Sequence, residues 1–493
     1  MPVRNTPLQR VWPGPSALLY SVAATRQLEQ LALARTAPHP LMACAGLSAA
    51  RLVLALVPHA QTIWIAAGPG NNGGDGLEAA AQLQRMGKTV LVTWAGSAQA
   101  MGADVALSHD HAVQAGVKFL DVAPTQFDAA LDAMLGIGAN RPLADQMAHW
   151  ICKLNESPAP VLALDVPTGL NADTGTATGA CVRAHATLSL LTLKPGLFTG
   201  SGRDAVGQVW LDSLDTESEA GSDASASAPI AQLAAAPARR DLPHATHKGA
   251  RGDVAVIGGS SGMAGAALLA AISALHRGAG RVYLASADGI ALPIEASQPE
   301  LMQRSVEALD MVRHTVVCGC GGRDAIRKHL PRVLSSAVRL VLDADALNAI
   351  AADSQLRTQL RARRARGWAT VLTPHPLEAA RLCATDIANI QRDRLAAALT
   401  LSDTFQCTLL LKGSGTVVAS PEQICTIIPT GNARLATAGT GDVLAGAIGA
   451  LMAAGLRESE AATEAAYLHG YCADNWPDAT VLTASALARA RWV

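Results

Sequence analysis

Residues 62–76 read TIWIAAGPGNNGGDG. A run of β-branched and apolar residues, Thr62 to Ala67, breaks into a turn in which glycine occupies five of nine positions. The apolar run suits a strand buried on both faces, and the glycines let the backbone leave that strand steeply and approach a ligand closely. Gly68, Gly70 and Gly73 satisfy G-x-G-x-x-G. A dinucleotide-binding unit would also end its next strand in an acid about 20 residues on, yet KTVLVTWAG, from Lys88, has none. The turn therefore reads as an anion- or cation-binding loop rather than a standard nicotinamide fingerprint, with Asn71, Asn72 and Asp75 supplying carbonyl and carboxylate oxygens.

The same grammar repeats along the chain. Further strands are predicted at TVLVTWAG, LDAMLG and VLALDVPTG in the first half, then at DVAVIGG, RVYLAS, HTVVCG, RLVLDAD, ATVLTPH and CTLLLKG in the second. Alanine-rich helical stretches separate them, which predicts α/β architecture with mainly parallel sheets covered on both faces. The first half is expected to be a Rossmann-like three-layer αβα sandwich. Between the halves, residues 215–240 are rich in Ala, Ser and acids and read as a flexible linker or an extended crossing. The expected division is 1–215, a linker at 216–239, and 240–493.

At 493 residues the chain is long enough for two large domains. A net charge of −1 gives no basic excess, so nucleic acid is not an expected partner. Nine cysteines, an odd number without a C-x-x-C pair, suit a reducing cytoplasm. No signal peptide and no membrane span are expected: the apolar stretch Val443 to Gly455 falls short of the roughly 18–20 residues a bilayer requires.

In open α/β sheets, ligands bind beyond the carboxyl ends of the strands. Asp132 stands at such an end before Gly136, Gly138, Asn140 and Arg141, and Asp165 and Thr168 at another. The set GPGNNGGDG, LDAMLGIGANRPL, LDVPTGL and LKPGLFTG resembles the YjeF N-terminal family, the NAD(P)HX epimerases, over about residues 15–215. The resemblance implies a potassium ion held by Asn72, Asp132 and Thr168. It also implies that the hydrated cofactor contacts Asn71, Asn72, Gly73, Gly74 and Asp75, then Gly136, Ile137, Gly138, Ala139, Asn140, Arg141 and Pro142, and also Asp165. Inverting a hydroxylated ring carbon needs a carboxylate that shuttles a proton, and Asp132 is the expected one. LMACAG at 41–46 departs from the family's LMERAG-like segment by losing a Glu and an Arg.

In the second half, Gly439, Thr440 and Gly441 are expected to open a helix with Asp442 in its first turn. Asp442 either takes a proton from a substrate hydroxyl beside the helix N-terminus or caps the helix, and this motif alone leaves both open. LKGSGTVV, from Leu411, suits nucleotide phosphates; LTPHPLE brings His375 to a strand end; VLDADALN supplies Asp343, Asp345 and Asn348, where Asp345 and Asn348 equally suit capping of the next helix and Asp343 and Asp345 suit magnesium, directly or through water. With HKGARG and GTGDVLAG these resemble the ribokinase-like YjeF C-terminal family, the ADP- or ATP-dependent NAD(P)HX dehydratases, over about residues 240–490. The resemblance implies Ala266, Gly321, His375 and Asp442 against the hydrated cofactor, and Lys412, Gly413, Ser414, Gly415, Thr416 and Gly441 around ADP or ATP. Cys320 replaces the proline of the family's GPGLG-like turn, and Ala438 stands where Gly is usual.

The expected activity is thus epimerisation of R- and S-NAD(P)HX joined to nucleotide-dependent dehydration of the S form, in a homo-oligomer with potassium, magnesium and ADP or ATP as cofactors. Two rivals predict otherwise. A vitamin-pathway kinase would release a stable phosphorylated product, and a non-enzymatic N-terminal binding module would not equilibrate the isomers.

Overall fold

The computed structural model describes residues 8–12, 14–34, 39–97, 101–138, 143–216, 228–241, 243–291 and 297–492. The chain divides into two compact units, Met1–Gln232 and Leu233–Val493.

In the first unit the strands are β1 (Gln9–Arg10), β2 (Leu18–Leu19), β3 (Thr62–Ala67), β4 (Thr89–Trp94), β5 (Lys118–Leu120), β6 (Ala129–Ala133), β7 (Val161–Leu164), β8 (Ala186–Leu190) and β9 (Gln208–Asp212). The main sheet runs β1-β9-β8-β7-β6-β3-β4-β5. All its pairs are parallel except β1 with β9. Side chains alternate across β3: Ile63, Ile65 and Ala67 join one apolar cluster, and Trp64 and Ala66 join another on the opposite face. Both faces are dry, which is why the strand reads as a continuous apolar run rather than an alternating one. Chain order reverses between β3 and β6, so the crevice at their carboxyl ends is the place where such a sheet opens to a ligand.

The segment expected to be a linker contains a further strand, β10 (Ala231–Leu233), whose Ala231 and Gln232 pair antiparallel with Leu19 and Leu18. Three residues of alternation are too few to stand out among alanines and serines, so the pairing is visible only once the distant partner is placed. Residues 217–227 of that segment lie outside the described residues.

The second unit contains β11 (Asp253–Gly258), β12 (Arg281–Ser286), β13 (Met302–Gln303), β14 (Thr315–Cys318), β15 (Arg339–Leu342), β16 (Ala369–Leu372), β17 (Thr408–Leu411), β18 (Val417–Ala419) and β19 (Cys425–Ile427). They lie in the order β13-β12-β11-β14-β15-β16-β17-β18-β19, parallel from β13 to β17 and antiparallel thereafter. Each strand predicted from sequence in either half is present. The helix Thr440–Ala453 lies against this sheet and against the helix Ala264–His276. Its glycines make that possible: a Cβ at Gly446 would stand 2.0 Å from the carbonyl oxygen of Ala270, and one at Gly449 would stand 2.5 Å from Val317. Close packing fixes the helix so that its N-terminus points over the carboxyl ends of the strands. No helix among the described residues is long and apolar enough to cross a membrane.

Candidate active sites in the two units

A cavity of about 550 Å³ opens at the β3/β6 crevice, walled by Asn71, Asn72, Asp75, Gly136, Ile137, Gly138 and Asp165 as expected, and by Arg26 and Glu29 in addition. Ala139, Asn140, Arg141 and Pro142, also expected there, lie outside the described residues. Asp165 follows β7 and takes the left-handed conformation, φ +64°, a costly state for a residue with a side chain that is retained where function requires it. One carboxylate oxygen accepts from Lys194 Nζ at 2.6 Å and the other from the Ile137 N–H at 3.1 Å. Lys194 is fully buried and gives its remaining donors to Ser189 Oγ (3.2 Å) and the Leu190 carbonyl (2.8 Å). Gly136 leaves room for this pair: a Cβ there would sit 2.8 Å from Asp165 Oδ2 and push the carboxylate off its bonds to Lys194 and Ile137.

Asp132, expected from sequence to shuttle the proton, is 0% exposed. It accepts from Thr168 Oγ1 (2.7 Å), the Thr168 N–H (2.8 Å) and the Met134 N–H (3.2 Å), and burial pushes its carboxyl up to about 6. Asp132 and Thr168 are therefore together as expected, behind the cavity wall rather than facing into it. Asn72 is the third expected member of this set. Both atoms of its side-chain amide are buried without a hydrogen-bond partner among the described residues, and its Oδ1 lies 3.3 Å from the position of a Gly136 Cβ. A buried amide left unpaired is costly and calls for a partner.

The cavity is acidic. Burial, followed by the charges of Asp165, Glu29 and Glu78, holds the Asp75 carboxyl well above the usual carboxylate range. Glu29 is raised too, first by burial and then by Asp165, against the pull of Lys194, Arg26 and a bond from Asn71. The sequence reading missed Glu29 and Arg26. They lie on the helix Val22–Leu33, far from any glycine turn, and no spacing marks them.

In the second unit, residues following β14, β15, β16 and β17 converge on the N-terminus of Thr440–Ala453. Lys412 Nζ bonds Asp343 Oδ1 at 2.8 Å and lies 4.0 Å from Glu378 Oε2. It also lies 3.1 Å from where a Gly441 Cβ would be, so its ammonium stands over the first turn of the helix. Thr373 Oγ1 donates to the same Asp343 oxygen at 2.7 Å. Cys320, Asp343 and Asp442 present ligand atoms within 4.8 Å of one another. The Asp442 carboxyl is pushed up to about 7 by burial and the Asp343 charge, against a bond from Cys320 and the charge of Lys412. Gly439 precedes the helix with φ +90°, and Asp442 is in the first turn, as expected.

His375 caps the helix Pro376–Cys383: Nδ1 accepts from the Leu377 and Glu378 N–H groups, and the His375 N–H donates to Glu378 Oε2 at 2.8 Å. Its Nε2 lies 3.2 Å from Glu378 Oε1. Burial, then Lys412, lowers the imidazole below its ordinary value, and burial lifts Glu378 to about 7. Glu378 was not singled out from sequence, although a Glu three residues after a capping position is the available signal. Gly321 is left-handed, φ +61°, with Ala266 2.9 Å from a Cβ built there, so the two expected contacts are adjacent. Gly413 and Gly415 are also left-handed; Gly413 rests on the Arg394 guanidinium, which bonds the Leu411 and Lys412 carbonyls. Thr416 Oγ1 bonds the Gly413 carbonyl, closing the loop that includes Ser414. Two other sequence candidates are engaged elsewhere: Asn348 with Arg381, and one Asp345 oxygen with the Arg323 N–H.

Comparison with known proteins places both halves. Residues 38–196 match the family model described as YjeF-related protein N-terminus, and residues 254–490 match the one described as NAD(P)H-hydrate dehydratase. The chain is 34% identical over 447 residues to the bifunctional NAD(P)H-hydrate repair enzyme Nnr of Escherichia coli, covering 88% of this chain and 85% of that protein. It is 34% identical over 470 residues to the Coxiella burnetii protein of the same name, covering 93% and 94%. A crystal structure of ADP/ATP-dependent NAD(P)H-hydrate dehydratase from Bacillus subtilis, co-crystallized with ATP and Mg2+, is 29% identical and covers 50% of this chain and 90% of its own, with a TM-score of 0.43. With likeness to whole relatives across both units, the chain belongs to the family of bifunctional NAD(P)H-hydrate repair enzymes.

Proposed function

We propose that the first unit interconverts the R and S hydrates of NADH and NADPH, and that the second uses ADP or ATP to dehydrate the S form to NAD(P)H. The observation that carries this reading is the pairing of two separate sites in one chain: a carboxylate-lined cavity at the β3/β6 crevice, and a helix N-terminus with Asp442, Lys412 and Asp343 gathered at it. The vitamin-kinase alternative accounts for only the second.

In the dehydratase, Asp442 accepts the proton of the substrate's ring hydroxyl as that oxygen bonds to the terminal phosphorus and the bond to the leaving nucleotide breaks. A carboxyl held at about 7 is matched to taking a proton near neutrality. Lys412 and the N–H groups of the Gly441 turn offset charge on the moving phosphoryl group. The ring nitrogen's lone pair then expels phosphate, and loss of a ring proton restores the dihydronicotinamide; with ADP as donor the products are NAD(P)H, AMP and phosphate. His375 and Gly321, with Ala266 beside it, border the substrate, and the Lys412–Thr416 loop holds the nucleotide. Asp343 and the second Asp345 oxygen, the one that does not accept from the Arg323 N–H, are hard donors that would hold magnesium, which when bound would neutralise phosphate charge.

In the epimerase, inversion requires opening or dehydrating the hydroxylated ring carbon and returning the hydroxyl to the other face. We assign proton transfer to Asp165 rather than Asp132, because Asp165 borders the cavity and Asp132 is sealed behind Thr168. Asn72, Asp132 and Thr168 fit a potassium ion: all three offer oxygen, and the unpaired Asn72 amide lacks any other partner among the described residues. When bound, potassium supplies a fixed positive charge beside the substrate. Lys194 fixes the Asp165 carboxylate, and Asp75 and Glu29, both held toward their neutral forms, remain as proton donors.

The test is an assay of S-NADHX with ADP and ATP in parallel, followed by addition of the R isomer. Recovery of dihydronicotinamide absorbance with phosphate release, and consumption of R only through S, is the expected outcome. Accumulation of a stable phosphorylated product would replace this reading with the kinase.

A further inference from the structure

We propose that His39, Glu78 and His111 form a binding site for a divalent first-row transition cation of the zinc class, distinct from the potassium and magnesium sites proposed above. The three residues come from separate elements: His39 caps the helix Pro40–Leu56, Glu78 lies on Asn71–Arg85 and His111 on Ala103–Gln114. His111 Nδ1 lies 2.8 Å from Glu78 Oε2, and His39 Nε2 lies 4.0 Å from the same oxygen. The ligand atoms all fall within 4.8 Å of one another. Ligands each about 2.0–2.2 Å from zinc stand roughly 3.3–3.6 Å apart in a tetrahedron, so capture needs the 2.8 Å His111–Glu78 pair to open by about half an ångström and His39 to swing in, exchanging its 3.0 Å hydrogen bond to Ser108 Oγ for the ion.

Three features make this more than a chance meeting of polar side chains. The Glu78 side chain is 3% exposed, and among the described residues its ion-pair partners are the two imidazoles, with no lysine or arginine. A buried carboxylate needs a countercharge, and neutral imidazoles supply one only by recruiting a cation or a proton. Its other oxygen, Oε1, accepts from Gln82 Nε2 at 3.0 Å, which turns Oε2 toward the imidazoles and is the kind of outer hydrogen bond that orients a metal ligand. Third, the Glu78 charge adds to a cavity region already crowded with Glu29, Asp75 and Asp165, and a divalent cation relieves that excess. Two imidazoles and one carboxylate select zinc-like ions over magnesium or potassium. His39 also borders the epimerase cavity, so the ion would tie three helices together beside the substrate.

Cobalt(II) is the probe, because it reports its ligands in its spectrum. Metal-free full-length protein, with potassium and magnesium in excess, should take up one equivalent of cobalt with visible d–d bands and no thiolate-to-cobalt charge-transfer absorption. Zinc should displace it, and either ion should raise the melting temperature. His111→Ala removes the partner 2.8 Å from the buried Glu78 carboxylate, so it should lower the metal-free melting temperature, and in the protein that stays folded it should weaken cobalt uptake at least tenfold. Glu78→Gln should do the same to uptake. The proposal is overturned if wild-type protein shows no such bands, if both variants bind as the parent does, or if the bands are of thiolate type and vanish in Cys320→Ala, which would place the ion at the Cys320, Asp343 and Asp442 cluster instead.

Discussion

Replacing Asp442 by Asn keeps the side chain's size and removes its ability to take a proton. The Asp442 carboxyl titrates at about 7, raised from 3.8 by burial and by Asp343. About a tenth of molecules carry the carboxylate at pH 6 and about nine-tenths at pH 8, so wild-type dehydration should rise nearly tenfold across that interval. Glu378 titrates in the same range, so the profile belongs to the pair, and the slope lost on mutation is the share due to Asp442. A positioned general base contributes about 10²–10⁴ in rate, equivalent to roughly 3–5 kcal/mol of barrier at 1.36 kcal/mol per factor of ten. Asp442→Asn should therefore lower kcat for S-NADHX with ADP by that factor and flatten the pH profile. Unfolding would not explain the loss. A folded-state value above the unfolded one means the group's contribution to stability is present below pH 3.8 and gone above pH 7, so the neutral amide should not lower the melting temperature at pH 8. The assay is recovery of dihydronicotinamide absorbance by the full chain, with isomer exchange followed by chromatography. A variant within threefold of wild type, or equal loss of isomer exchange, would refute the assignment.

Other consequences are separable. Asp165→Asn should abolish isomer exchange by a factor of about 10² or more while dehydration of S-NADHX continues; because it leaves Lys194 unpaired, the double variant Asp165→Asn/Lys194→Met serves as the folded control, and retained exchange in either removes Asp165 from the chemistry. Asn72→Ala or Asp132→Asn should raise the potassium concentration needed for half-maximal exchange, so titration with potassium in place of a bulky organic cation should shift for these variants and not for Asp442→Asn. Lys194→Met strands a buried carboxylate and should destabilise the first unit by about 3–5 kcal/mol in urea; a midpoint within error of wild type would show the pair to be expendable. Gly446→Ala places a methyl 2.0 Å from the Ala270 carbonyl and should cost about 1–3 kcal/mol through overpacking, with a larger loss of dehydratase activity than of epimerase activity because the helix carries Asp442.

The α/β class, each predicted strand and the positions of both glycine turns were legible from the chain alone. The reason is local: a strand buried on both faces must be apolar throughout, and a backbone that leaves a strand to meet a ligand must have glycines. Lys412 and His375 could be named for the same reason, since each sits just beyond an apolar run, and Asp442 because it follows a glycine turn at the head of one. Tertiary structure decided what those neighbourhoods do not encode. Asp132 and Asp165 look alike along the chain, but only packing hides one behind Thr168 and turns the other to the cavity beside Lys194. Glu29 and Glu78 sit on ordinary helices and gain meaning only from what faces them. Ala231 to Leu233 became a strand because Leu18 and Leu19 lie alongside. Strand and turn propensities act over a few residues and can be read from the chain; burial, ion pairing and proton affinity arise from residues tens to hundreds of positions apart, and they exist only after the chain has folded.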